Sequence, residues 1–434
     1  MGLTASQQQA ADKLVSFLLN QEAEEIVLSG GAGTGKSYIT SWFIKEGHRT
    51  YLKKCRELGI EPRFRSLPIV TATTNKAATV LSESLNKNVC TIHSFLGLKV
   101  KENLETGSTS LKETSKSCLK SDAIIFIDEC SMINSALYSY IKKFLINCKI
   151  IYVGDMYQLA PVREKVSPIF RPDIEVIELT ENVRLKTYPQ LLDLAAQLRE
   201  TVKTTSFKSI VVDNKIIQHL KDAELKELID SEFLEPSVHN KIVTYTNKKT
   251  IMFNDYLKFD LRKYDDSFIV GEIYTLSNAL ITNGVTILGT DAEIIINKVS
   301  DGGVYQPGDV PIELAKLEVT VVNCGMHATI YAAKDTAQLL CALKSESKKK
   351  NWRNYFSIKE SVADLRLSDA STIHKAQGST YKNIIVDLGD LSTCRNPDTA
   401  ARLLYVACTR ATENVYLYGN LSAKYGSLDI WRPA

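Results

Sequence analysis

Short apolar runs alternate with stretches of helical period through the first part of the chain. Glu25–Ser29, Leu67–Ala72, Ala123–Ile127 and Ile150–Val153 have strand length, and each is followed by small, polar or charged residues and then a helical pattern. Continuous apolar runs fit strands buried on both faces. Their alternation with helices predicts a parallel sheet joined by crossover helices. Ligands of such sheets gather at the carboxyl ends of the strands. A second set, Lys241–Thr246, Ala370–Ile373, Asn383–Leu388 and Asn414–Tyr418, predicts another α/β unit. Between them, from Gly284 to Val322, apolar and polar residues alternate more nearly in twos. Turns are expected there at Asp301-Gly302-Gly303 and Pro307-Gly308, so this segment reads as a small β-rich insertion. Ala332–Lys350 predicts a helix ending in a basic run of Lys348, Lys349, Lys350 and Arg353. The polar stretch Lys99–Ser121 reads as a second insertion, with Thr106-Gly107-Ser108 as its hairpin turn.

Composition narrows the class. A chain of 434 residues exceeds one ordinary core and implies two to four compact units. At 44% hydrophobic and 24% charged it is ordinary for a globular protein. It has no long apolar run of membrane-spanning length, and Met1–Asp12 is polar with no signal-peptide core. The nine cysteines are dispersed, without a CxxC pair, which fits a reducing cytoplasm and gives zinc knuckles no support. The six histidines lack ligand spacing. A net charge of +3 neither demands nor excludes nucleic acid, because a local basic channel can sit on a near-neutral protein.

The chemistry sits where the first strands end. Gly30-Gly31-Ala32-Gly33-Thr34-Gly35-Lys36-Ser37 fits G-x-x-x-x-G-K-[ST], after a predicted strand and before a predicted helix, Tyr38–Lys45. Glycines let successive N–H groups curl toward phosphate oxygens, and the positive helix end adds to this. Lys36 would contact the β- and γ-phosphates, and the Ser37 hydroxyl would bind Mg²⁺. The bland reading, a glycine-rich turn with a chance lysine, does not account for strand and helix both being in place. Ile124–Ile127 delivers Asp128 to hold Mg²⁺ through water and Glu129 to polarise an attacking water. Two such acids otherwise serve as a helix cap and first turn. Gln158, after Gly154-Asp155-Met156-Tyr157, has the reach to sense a γ-phosphate; alone it would be a loop residue. Arg184 closes Leu179-Thr180-Glu181-Asn182-Val183, and Arg410 follows Tyr405-Val406-Ala407-Cys408-Thr409, read as helical. Either is a salt-bridged surface cation or a guanidinium brought to a transferring phosphoryl group.

Taken in order, GGAGTGKS, TATTNKAA, TIHSF, IDECSM, GDMYQLAPV, LTENVR, STIHKAQGS and YVACTRA resemble a superfamily 1 DNA helicase, more narrowly the RecD-like 1B branch and the phage Dda helicase group. The resemblance runs from Leu3-Thr4 to the strand beyond Arg410. It implies two RecA-like P-loop motor domains. Domain 1A would span 1–97 and 122–178, and domain 2A 179–278 and 364–434. A hairpin pin would occupy 98–121, and an SH3-like and helical insertion 279–363, its SH3-like part Gly284–Asn323.

For the nucleotide, the resemblance implies ATP held by Gly31, Ala32, Gly33, Thr34, Gly35, Lys36 and Ser37, with Gln7 on the adenine edge and Gln377 and Gly378 facing the same cleft. Ser37 and Asp128 would hold Mg²⁺, and Lys36, Glu129, Gln158, Arg184 and Arg410 would act on the γ-phosphate. Thr73, Thr74, Asn75, His93, Phe95, Thr246, Asn247, Thr372, His374 and Lys375 would face single-stranded DNA. Short hydroxyl and amide side chains at strand ends can hold phosphates without reading sequence, and His93 or Phe95 can stack on any base. The plainer roles stay open: Thr73, Thr74 and Asn75 as helix caps, His93 as a core histidine.

The implied activity is ATP-driven 5′→3′ movement on single-stranded DNA and unwinding of forked duplex, by a monomer in the cytoplasm (of the host, if viral). Single-strand binding, replication or recombination proteins would be its partners. The segment 98–121 has no Phe, Tyr or Trp where relatives often place an aromatic on the pin, so Leu104 or Leu111 would serve as an apolar wedge or the pin would act sterically. Ala160 stands where relatives tend to have proline. A translocase that mainly strips proteins from DNA and a non-helicase P-loop ATPase or kinase are the competing readings.

Overall fold

A computed structural model describes residues 2–102, 109–161, 164–264, 267–282, 285–322 and 324–430. The expected turn Thr106-Gly107-Ser108 and the candidate wedge Leu104 lie outside the described residues.

The first lobe is a six-stranded parallel sheet of β1 (Glu25–Gly30), β2 (Ile69–Ala72), β3 (Cys90–Thr91), β4 (Ile124–Asp128), β5 (Lys149–Gly154) and β6 (Glu175–Leu179), in the spatial order β6-β1-β5-β4-β2-β3. Its central strands are buried on both faces, as their unbroken apolar runs require. Leu28, Phe126 and Ile151 pack on one side with Leu14 and Phe43; Ile125, Ile127 and Ile150 pack on the other with Leu137 and Ile141. β2 starts at Ile69 rather than Leu67, because Pro68 has no N–H to give a ladder. β1 and β5 end in register, Ser29 beside Gly154, which puts both following loops on one edge.

The second lobe repeats the plan. Its strands are β7 (Ile217–Leu220) and β8 (Asn240–Thr244); then an insertion carries β9 (Ile273–Leu276), β10 (Glu293–Tyr305), β11 (Ile312–Val321), β12 (His327–Ala333) and β13 (Leu365–Leu367); then come β14 (Ala370–Thr372), β15 (Tyr381–Asp387) and β16 (Ala411–Tyr418). The lobe's sheet is parallel, ordered β7-β16-β15-β8-β14. The insertion's sheet is antiparallel, ordered β12-β11-β10-β9-β13. Two of its strands, β9 and β13, lie outside the expected limits 279–363. The insertion is thus rooted deeper in the second lobe than the residue pattern suggested.

Two other expectations are corrected. Asp301-Gly302-Gly303 is not a turn; it lies within the 13-residue β10, where the register to β11 shifts between Asp301 and Gly303. An Asp-Gly-Gly sequence serves a bulge as well as a turn, and a long strand needs one to accommodate twist. The helix expected over Ala332–Lys350 spans Thr336–Lys348, because Ala332 and Ala333 still pair with β11 and Asp335 caps the helix.

A buried cluster ties insertion to lobe. Arg262 donates to Glu272 at 3.1 Å and to both oxygens of Asp369 at 3.0 and 2.8 Å. Glu272 precedes β9 and Asp369 precedes β14, so one guanidinium fixes where the insertion leaves the lobe and where the chain re-enters it. In the described part of 98–121, Leu98–Glu102 pairs antiparallel with Thr109–Glu113.

Candidate nucleotide cleft and strand face

β1 runs into a loop whose glycines are forced. Gly33 and Gly35 have φ of 82° and 88°. A Cβ on Gly33 would lie 2.7 Å from Asn182 Oδ1, and one on Gly35 would lie 2.3 Å from Gln7 Nε2. The loop is braced from outside: Asn182 Nδ2 donates to Ala32 O at 2.7 Å, and the Val183 N–H to Gly33 O at 2.9 Å. α1 (Ala5–Leu19) supplies the other brace. Gln7 accepts from the Thr4 N–H and donates to Thr34 O at 3.2 Å. Both ends of the Gln7 amide are therefore engaged within the chain, and an adenine contact requires one bond to be exchanged. α2 (Lys36–Trp42) then starts from Gly35, with no side chain capping it. Expected as Tyr38–Lys45, it instead passes into a π-turn at Phe43–Gly47. Lys36 Nζ rests on Gly30 O at 2.6 Å and Gly31 O at 3.0 Å, while Ser37 is exposed on the first turn.

The acids stand opposite. Burial and then the Glu129 charge push the Asp128 carboxyl up to about 7, against the Glu129 N–H and Lys36, which favour its charged form. Glu129 itself sits at φ 52°, a conformation uncommon for a side chain of this size. Its Oε2 is buried without a partner, as are Gln158 Oε1, Gln377 Oε1 and Ser379 Oγ.

Several of these groups come from the second lobe. Gln377 Nε2 donates to Ser131 Oγ at 3.2 Å, and a Cβ on Gly378 would lie 3.6 Å from Glu129 Oε1. α3 (Pro397–Cys408) crosses over as well. Tyr405 OH donates to Asp155 Oδ2 at 2.7 Å, and Arg402 Nη1 to the carbonyls of Met156 and Gln158 at 2.8 and 2.7 Å. Arg184, at the cleft mouth, donates to Thr380 Oγ1 at 3.0 Å. Arg184 is exposed as a residue, yet its head group is covered. The guanidinium pKa is pulled below its ordinary value, first by desolvation and second by the like charge of Arg410. Arg410 is buried just past the end of α3 and donates to the carbonyls of Val406 at 3.1 Å and Ser379 at 3.2 Å. Two cations from different stretches of chain are thus close enough to feel each other's charge.

The residues expected to face a strand lie at the carboxyl edges of both sheets, with unequal freedom. Thr74 caps the helix Asn75–Leu85 by accepting from the Ala77 N–H, and Thr73 Oγ1 donates to Glu129 O at 2.9 Å. Thr246 caps Asn247–Asp255 and Thr372 caps the turn Ile373–Ala376. Capping is therefore their role in this structure. Asn247 and His374 are exposed, and Lys375 forms an ion pair with Asp291 at 3.0 Å. His93 is half-buried, which lowers its pKa. Phe95 is partly buried, with Lys120 Nζ 5.6 Å from its ring centre. Leu111 packs against the core beside Ile133 and Leu137, so it is not a free wedge.

Comparison with known proteins finds relatives of this arrangement. Residues 16–164 match the AAA domain family, and residues 367–418 match the UvrD-like helicase C-terminal domain family. The chain is 25% identical over 452 residues to the ATP-dependent DNA helicase dda of Enterobacteria phage T4, covering 94% of this chain and 98% of that protein. It is 23% identical over 463 residues to the ATP-dependent DNA helicase Pif1 of Campylobacter jejuni, covering 96% and 92%. The structure of Pif1 helicase from Bacteroides in complex with ADP-AlF3 and ssDNA superposes with a TM-score of 0.54 at 16% identity, over 99% of this chain and 95% of that one. Along nearly its whole length the chain is similar to ATP-dependent DNA helicases of superfamily 1B.

The cleft suits a magnesium nucleotide. Glycines that cannot accept a Cβ cradle one end, and unpaired carboxylate, amide and hydroxyl oxygens line the other. Ser37 and Asp128 offer the hard oxygen ligands that Mg²⁺ prefers. Residue-by-residue reading of the sequence did not single out Ser131, Asp155, Thr380, Arg402 or Tyr405, although these carry most of the direct bonds between the lobes. Asp155 and Tyr405 lie inside motifs the sequence displays, but only the tertiary fold pairs them.

Proposed function

We propose that this chain is an ATP-driven DNA helicase that moves 5′→3′ along single-stranded DNA and parts a forked duplex ahead of it. One observation carries the reading: the second lobe closes over the cleft of Lys36, Asp128 and Glu129, with Gln377 bonded across it to Ser131 and Tyr405 to Asp155. A P-loop enzyme that only phosphorylates a small molecule has no use for a second parallel-sheet lobe supplying those groups.

In this reading Lys36 and the loop N–H groups hold the β- and γ-phosphates. Ser37 and Asp128 hold Mg²⁺, which would supply Lewis-acid neutralisation of the phosphate oxygens. Glu129 accepts the proton of the attacking water, and Gln158 and Gln377 orient it. Arg184 and Arg410 stabilise charge on the γ-phosphoryl group as it transfers. Loss of that anion removes what holds the two arginines together, and the lobes separate. Thr73, Thr74, Asn75 and His93 on one lobe, and Thr246, Asn247, Thr372, His374 and Lys375 on the other, alternately grip the strand. A monomer suffices, since both halves of the cleft lie in one chain. Nine free cysteines fit action in a reducing cytoplasm, and single-strand binding, replication or recombination proteins are the partners this activity calls for.

The test is ATP turnover with and without single-stranded DNA, then unwinding of forks tailed at either end. Strong stimulation and a 5′-tail requirement are expected; equal turnover without DNA would reject a motor. A specific observation also favours a second reading, displacement of bound proteins with weak unwinding: 98–121 lacks an aromatic and Leu111 is packed away. Comparing streptavidin displacement with fork unwinding on the same strand separates the two.

A further inference from the structure

Between the two lobes and the insertion lies a cavity of about 370 Å³, lined by Lys76, Asn247, Thr372 and Lys375 on the lobes and by Asp291 and Glu293 on the insertion. The insertion reaches both lobes through one short turn. Gly289 abuts the first lobe so closely that a Cβ there would lie 2.5 Å from Asn75 Nδ2. Two residues on, Asp291 adopts φ 63°, and its backbone N–H is fixed to Leu276 O at 2.9 Å. Asp291 pairs with Lys375 of the second lobe at 3.0 Å, and Glu293, at the start of β10, pairs with Lys76 of the first lobe at 3.3 Å. Both pairs are partly buried: the Lys76 and Glu293 side chains are 22% and 17% exposed, and those of Lys375 and Asp291 31% and 33%. Burial works against the Lys76 charge, but Tyr381 and Glu293 outweigh it and raise its pKa.

Lys76 adjoins Thr74 and Asn75, and Lys375 follows Thr372 and His374. Both lysines therefore stand on the path assigned to the strand, and both are neutralised by carboxylates from the same turn. A carboxylate offers a lysine what a phosphate offers: a negative charge spread over two accepting oxygens.

We propose that Glu293 and Asp291 stand in for two strand phosphates, which take Lys76 and Lys375 when DNA enters and release the turn at Gly289–Glu293 from both lobes. The proposal rests on the helicase reading. It makes the insertion a competitor of the strand, displaced only by a polyanion presenting two phosphates at the right separation.

The salt dependence of binding tests this. An oligodeoxythymidylate is titrated into wild type and into a Glu293→Gln, Asp291→Asn double variant, each isosteric with the residue it replaces. In wild type each arriving phosphate sheds its condensed cation, but the vacated carboxylate stays beside the strand and draws cation back, so the net release is small. In the double variant no carboxylate takes cation back, and the slope of log affinity against log salt should steepen by up to about 1.4, at about 0.7 per phosphate on a single strand. Affinity at moderate salt should rise about two- to fivefold per acid removed. Glu293→Gln alone should show half the slope change, which keeps the test available if the pair fails to fold. Adding Lys76→Met and Lys375→Met should abolish the gain. An unchanged slope would make the pairs mere struts, and weaker binding would make them part of the grip. A gain that persists without the lysines would reduce the acids to general repulsion. Each of these outcomes overturns the proposal while leaving DNA-stimulated turnover intact, whereas wild type that neither binds nor responds to DNA would fail the helicase reading itself.

Discussion

The two lobes share a parallel sheet, but two helices that follow its strands, one in each lobe, treat their N-termini differently. In the first lobe, α2 starts from Gly35 with no capping side chain, and the loop before it is shaped by glycines at positive φ. In the second, the helix Asn247–Asp255 is capped by Thr246, and the buried carboxylate of Asp390 accepts from the N–H of Tyr245 at 2.8 Å, the N–H of Thr246 at 2.7 Å and the Thr246 hydroxyl at 2.8 Å. One lobe carries its anion as an internal residue; the other leaves the equivalent donors for a ligand. A helix end needs a negative partner in either case. The lobe whose partner is external is the one that can respond to its arrival and departure.

The sharpest way to break this comparison is Arg410→Ala. It should leave nucleotide bound to the first lobe but cut DNA-stimulated kcat by about 10³-fold, in the range of a lost arginine finger. Retained turnover would leave Arg184 as the sole arginine that matters. Next, Asp390→Ala should cost about 3 kcal/mol in denaturant unfolding, because two N–H groups and a hydroxyl lose a charged acceptor. A negligible loss would show that the second lobe does not depend on its internal anion.

Acidity sharpens the contrast further. Asp128 is raised to about 7 by burial and Glu129, so a large share of it is protonated near neutrality. Binding magnesium needs the carboxylate and must expel that proton. Affinity for magnesium nucleotide should therefore fall up to about tenfold per unit as pH drops below 7. For the protein without nucleotide the sign is opposite. An acid whose folded pKa is raised binds more protons folded than unfolded, so stability declines as pH climbs from about 4 to about 7. Calorimetry in buffers of differing ionisation enthalpy would detect the released proton. Glu129→Gln, which removes the like charge, should shrink that release. The smallest effect is expected of Thr74→Ala, about 1 kcal/mol of stability for a lost cap. A large loss of DNA affinity with less stability change would move Thr74 from capping to strand contact.

Much of the fold was legible because buried parallel strands leave unbroken apolar runs: β1, β4, β5, β8 and β15 lie within two residues of where those runs suggest. The phosphate loop was legible because its chemistry is contiguous in the chain. The Asp301-Gly302-Gly303 bulge was not, since local sequence sets backbone permission and strand pairing decides its use. Nor were Tyr405 with Asp155, or Arg402 with Met156 and Gln158, which lie about 250 residues apart and meet only when the lobes do. The Gln7 amide, read as a ligand contact, is occupied by the helix cap and the phosphate loop, an alternative that a Thr-x-x-Gln sequence also announces.

Arg184 and Arg410 have a mechanical corollary. Like charges held near one another behave as a compressed spring, latched only while an anion lies between them. Once the product leaves, recoil is downhill without any further input. The idle enzyme should therefore rest ajar, and the recovery stroke should quicken as ionic strength falls.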